Sequence, residues 1–88
     1  MEVRFENSFL RDVKAIKDQT AKRDLERLLI KVKEVESLSE IQGVKKIKGY
    51  RDYYRIKIKN YRVGIKLQGS VVIFVRVLSR KDIYRYFP

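Results

Sequence analysis

The chain has 88 residues, with 22 Lys or Arg against 11 Asp or Glu, for a net charge of +11. That length makes one small domain of roughly a few kcal/mol net stability and excludes a multidomain enzyme. Cys and His are both absent, which excludes a disulfide framework and a Cys-based zinc site and removes the usual general base and commonest metal ligand.

In chain order, Glu2–Phe5 alternates polar and apolar residues, which predicts a short strand. Asn7 is placed to N-cap a first helix, with Phe9, Val13 and Ile16 on one face and an end near Asp18. Thr20 is placed to cap a second helix over 21–37, with an apolar stripe of Leu25, Leu28, Leu29, Val32 and Val35. The short link between them implies an αα-hairpin. Residues 37–50, broken by Gly43 and Gly49, read as a connection with an extended piece at 44–47. From Tyr53 the period switches to two, predicting strands over 53–58, 61–67 and 71–78, then a short tail at 83–87. The longest apolar run, Val71 to Val75, is five residues, too short for a membrane span or a signal-peptide core. The expected fold is α+β in the order β-α-α-β-β-β, with the helical hairpin on one face of a small, mostly antiparallel sheet in a soluble cytoplasmic domain.

The charge is one-sided. Residues 1–44 hold nine basic and nine acidic residues, whereas residues 45–88 hold thirteen basic residues and only Asp52 and Asp82. Such a concentration points to a polyanion, with nucleic acid the first partner to consider. Six Tyr interleave with these cations, a composition suited to phosphate contact and base stacking, although Tyr is also an ordinary strand residue.

Treating Lys59-Asn60 as a two-residue hairpin loop pairs Ile58 with Tyr61, Lys57 with Arg62, Ile56 with Val63 and Arg55 with Gly64. One face then carries Ile56, Ile58, Tyr61, Val63 and Ile65, to be covered by the helices. The other carries Arg55, Lys57, Arg62 and Lys66. Like charges directly opposite destabilise a ladder, and such local conflicts mark function. Gly64 leaves room for close approach to the backbone. The third strand delivers Arg80, Lys81 and then Tyr84 toward the same region.

The segments 54–64 and 79–88 resemble two signatures of the RelE/ParE toxin superfamily, and the element order matches that family along nearly the whole chain. The resemblance implies a type II toxin, usually a ribosome-dependent endoribonuclease (an mRNA interferase) neutralised by a RelB-like antitoxin. By position, it places the family's catalytic basic residues on Arg55, Lys57 and Arg62, a supporting base on Lys59, its C-terminal arginine on Arg80 or Lys81, and its tyrosine on Tyr84 or Tyr86. Lys66 joins Lys59, Lys81 and Tyr86 as candidate RNA contacts. The sequence departs from the family at Ser79, where many relatives carry His, and at Arg55, where some carry Lys. Arginine does not deprotonate, so Arg55 is a poor proton carrier.

These residue types suit metal-free cleavage, in which the RNA 2′-OH attacks the adjacent phosphorus. Arg62 and Arg80 match phosphate geometry. Lys57 is the candidate base. An ordinary Lys, with pKa ~10.4, is protonated at neutral pH, but crowding by Arg55, Lys59 and Arg62 would favour its neutral form. Tyr84 is suited to stacking or proton transfer. No poised acid–base pair is available, so free RNA is expected to be cut weakly or not at all, with the ribosome supplying the geometry. Metal catalysis lacks converging carboxylates, Ser-based hydrolysis lacks its His, and the four scattered Gly make no phosphate loop, so neither a metal nor a cofactor is expected. Two alternatives stay open: a ParE-like toxin that inhibits a topoisomerase by protein binding, and a non-catalytic RNA-binding module. An antitoxin is expected to present an acidic amphipathic segment to the basic face, the C-terminal tail or the helical hairpin.

Overall fold

The period-two pattern of the second half builds the three long strands of the sheet. A computed structural model of the chain describes residues 1–88. Its elements are β1 (Glu2–Phe5), α1 (Asn7–Ala15), α2 (Gln19–Glu34), a 3₁₀ turn (Leu38–Glu40), β2 (Val44–Lys46), β3 (Tyr53–Ile58), β4 (Tyr61–Gln68), β5 (Val71–Ser79) and α3 (Ile83–Tyr86). The sheet order is β1-β5-β4-β3-β2, with β1 parallel to β5 and every other pair antiparallel. The α+β reading and the hairpin register both hold: Lys57 faces Arg62 and Arg55 faces Gly64. No helix is long and apolar enough to cross a membrane.

The helix ends differ from expectation. Asn7 does not cap α1. It is the first helical residue, and Glu6 sits at the cap without a side-chain bond. Asp18, not Thr20, caps α2, its carboxylate accepting from the Thr20 and Ala21 N–H groups at 2.9 and 3.2 Å. Asp leads Thr as an N-cap, and it completes an extended residue before the helix. The helices also stop earlier than expected, at Ala15 and Glu34. Both are followed by extended residues, Ile16 and Val35, whose side chains are buried in the core.

The apolar stripes of the helices meet Ile56, Val63, Ile65, Val72, Phe74 and Val77 in one core cluster. Helix α1 also completes the edge of β5, beyond the point where β1 stops at Phe74. Ser8 Oγ donates to the Val75 carbonyl at 2.6 Å, and the Asp12 carboxylate accepts from the Val77 N–H at 3.0 Å. One turn of helix thus satisfies strand groups left free at the edge. Asp12 also grips Arg76, with Nε and Nη2 at 2.7 and 3.1 Å. This hydrogen bond raises Arg76 above the ordinary arginine value. A raised folded pKa gives stability that is present below the unfolded pKa and lost only as pH rises through the folded one. The Arg76 contribution therefore persists at any ordinary pH. Replacing Asp12 by Ala leaves a half-buried guanidinium and an edge N–H unpaired, at an expected cost of about 2 kcal/mol. Chemical denaturation would check this, and an unchanged midpoint would refute it.

Candidate active site

Two strands and a glycine bring the cations together. Arg55 and Lys57 are alternate residues of β3 and share the face turned away from the core. Arg62 stands opposite Lys57 on β4, and Lys45 of β2 stands opposite Arg55. Gly43, at φ +80°, lets the chain lie flat on β3: its carbonyl accepts the Lys57 N–H at 3.1 Å, and a Cβ there would sit 3.3 Å from the Lys57 carbonyl oxygen. Gly43, Val44, Lys45, Arg55, Lys57 and Arg62 line a cleft of about 440 Å³ in which every charged side chain is cationic. A wider cleft of about 710 Å³ adjoins it on the α2 side, but Asp24 and Glu40 mix its charges.

Arg62 is the unusual member. It is 6% exposed, whereas Lys57, opposite it on the same face, is exposed. Its Nη1 donates to the Lys59 and Tyr61 carbonyls at 3.0 and 2.9 Å, while Nε is buried without a partner. The ion pairs of the chain join Arg4 to Glu2, Arg27 and Lys59 to Asp24, and Arg76 to Asp12, so Arg62 has no counter-ion. Burying an unpaired charge is costly. A position that bears this cost while opening onto a cationic cleft is suited to an incoming anion.

The other candidates fall into two groups. Tyr84, 62% exposed, holds its ring 5.8 Å from the Arg55 guanidinium, next to a residue of the cleft but not itself lining it. The Arg80 N–H bonds the Asn60 carbonyl at 2.8 Å, which fixes this exposed residue beside the β3–β4 turn without lining the cleft. Lys81 follows it, also exposed. Ser79 closes the turn that follows β5, its Oγ accepting the Asp82 N–H at 3.2 Å. Lys59 leans away: Nζ lies 3.5 Å from Asp24 Oδ2, and the residue takes the φ of +51° that its neighbour Asn60 was better suited to adopt. Lys66 stands over the Tyr53 ring, 5.5 Å away, and Tyr86 lies beside Arg76 and Arg85, so neither lines the cleft.

The open space at Gly64 is filled from within. The Phe87 ring lies against it so closely that a Cβ would stand 2.7 Å from ring carbons. Phe87 and Ile83 are buried, which fastens α3 over β4 and β5 and holds Tyr84 near Arg55. Gly43 and Lys45 escaped the sequence reading. Their signal was the extended piece at 44–47, which places Lys45 across from Arg55 once it is paired with β3.

A mostly antiparallel five-stranded sheet, with a helical hairpin on one face and a basic cleft on the other, defines a small toxin of the RelE/ParE type. The chain belongs to the ParE toxin family of type II toxin–antitoxin systems, whose model matches residues 3–84. It is 43% identical over 89 residues to Toxin RelE3 of Methanocaldococcus jannaschii, with all of both chains covered. Among solved structures it resembles the toxin of the RelB-RelE antitoxin–toxin complex from Methanococcus jannaschii, with TM-score 0.84 and 39% identity over 97% of this chain and 99% of that one. The intact E. coli RelBE complex matches in fold, with TM-score 0.69 and 22% identity over 89% and 94% of the chains.

Proposed function

We propose that this toxin is a metal-independent, ribosome-dependent endoribonuclease that cuts translated mRNA in the cytoplasm. The observation that carries this reading is Arg62, a buried guanidinium without a counter-ion in a cleft of cations. In this scheme Lys57 takes the proton of the RNA 2′-OH, which attacks the neighbouring phosphorus. Arg62 and Arg55 receive the charge that develops on the phosphoryl oxygens, and Arg80 approaches from the rim. Tyr84 stacks on the splayed base or passes a proton to the leaving 5′-oxygen. The products are a 2′,3′-cyclic phosphate and a 5′-hydroxyl. Lys59, Lys66, Lys81 and Tyr86 hold RNA outside the cleft. The ribosome supplies the substrate geometry that a cleft without His or a carboxylate pair does not. The partner is a RelB-like antitoxin, as in the RelB-RelE and RelBE complexes of the relatives.

The test is a cell-free translation reaction in which mRNA 5′ ends are mapped. New ends are expected within translated frames. They should be absent without ribosomes and reduced 100-fold or more by Lys57→Ala, within the range of general-base effects of about 10²–10⁴-fold. The family model's description, a ParE toxin, favours a second reading, a topoisomerase inhibitor acting by protein binding. Intact mRNA together with blocked gyrase supercoiling would establish that reading instead.

A further inference from the structure

The end of β2 and the loop joining it to β3 lie outside the cleft and hold a second cluster of cations. Lys46, Lys48 and Arg51 are all exposed, and with Ile47, Gly49 and Tyr50 they line an open depression of about 470 Å³. The only acid nearby in sequence is Asp52, which is half-buried. The loop is held in shape: the Ile47 N–H donates to the Tyr53 carbonyl at 2.8 Å, and Gly49 and Asp52 take φ of +85° and +67°. Tyr50 is 51% exposed, so the face of its ring is open to an incoming base. Its ring meets Tyr53 edge-on at 6.2 Å, and Tyr53 in turn meets Lys66 at 5.5 Å and Phe87 at 5.6 Å. A line of rings flanked by cations therefore runs from the tail at Gly64 to the loop tip, on the face without the helical hairpin.

We propose that this loop is a second single-stranded RNA contact, with the Tyr50 ring stacking on a base and Lys48 and Arg51 contacting phosphates. Exposed aromatics set among cations are the recurring platform for unpaired RNA, because every base has a π-face and every linkage a charge. The inference rests on the RNA reading of the cleft and extends it to a site where no bond is broken.

Binding of a fluorescein-labelled 2′-O-methyl RNA 12-mer tests it, since that probe lacks the hydroxyl needed for cleavage. Tyr50→Ala is expected to weaken binding about five-fold or more, and Tyr50→Phe to retain it. Lys48→Ala with Arg51→Ala should reduce the salt slope by about 1.4, the value for two phosphate contacts on a single strand. Parent-like affinity and slope in the loop variants, with binding still weakened by Lys57→Ala, would overturn the loop site alone. Failure of the parent to bind the 12-mer would overturn the loop as a contact for free single-stranded RNA, while the mRNA ends mapped with ribosomes present test the cleft separately.

Discussion

Replacing Gly64 by Ala is expected to destabilise the protein by about 1–3 kcal/mol and to lower its activity without touching a charged residue. Backbone strain is not the cause, because Gly64 does not occupy the left-handed region. The cost is collision: a Cβ would lie 2.7 Å from Phe87 ring carbons, and both Gly64 and Phe87 are buried. A ring packed between strand and Tyr53 has no slack, so the tail must lift. Lifting the tail draws Tyr84 from Arg55, whose guanidinium it now faces at 5.8 Å. For a domain of this size, 1 kcal/mol corresponds to a Tm change of about 4–8 °C. A double-mutant cycle isolates the cause. In a Phe87→Ala background, Gly64→Ala should cost close to nothing, because the colliding ring is gone. An equal Tm drop in both backgrounds would show that the glycine matters for some other reason.

The second large effect concerns Arg62, where stability and function should move in opposite directions. Arg62→Met keeps a long side chain and removes a buried, uncompensated charge. Replacing buried charges by well-packed apolar groups is often neutral or stabilising, by about 1–4 kcal/mol. Here the lost bonds from Nη1 to the Lys59 and Tyr61 carbonyls offset part of the gain. The net expectation is on the order of 1–2 kcal/mol of added stability, read as a Tm rise of at least about 4 °C. Cleavage should fall 100-fold or more, the scale of losing one charge-stabilising donor, about 10²–10³-fold. Such a trade is the signature of a residue kept for its chemistry at the expense of the fold. A lower Tm would identify Arg62 as a structural residue and remove the main support for the cleft as a phosphate site.

The hairpin was legible because its loop was short and its period strict: once Lys59 and Asn60 were set in the turn, each pair from Arg55–Gly64 to Ile58–Tyr61 followed. The pairing of β1 with β5 was not, since a parallel partner reached through two helices leaves no local mark. The same holds for Ser8 and Asp12 on the β5 edge, which are separated from their partners by 67 and 65 positions. The cations of the site could be named from the charge pattern and the family resemblance, but the burial of Arg62 could not. That burial comes with the guanidinium folding back onto the Lys59 and Tyr61 carbonyls, which a period-two pattern does not reveal. Gly64 was seen as a gap, and its occupant, Phe87, lies at the far end of the chain.

The chemistry of the cut ends tests the proposed mechanism most directly. After incubation with translating ribosomes, the downstream mRNA fragments should carry a 5′-hydroxyl that polynucleotide kinase labels without prior phosphatase. The upstream fragments should carry a 2′,3′-cyclic phosphate, and both should vanish with Arg62→Met. Downstream fragments bearing a 5′-phosphate, the mark of direct attack by water, would contradict a cleft that works through the RNA's own 2′-hydroxyl.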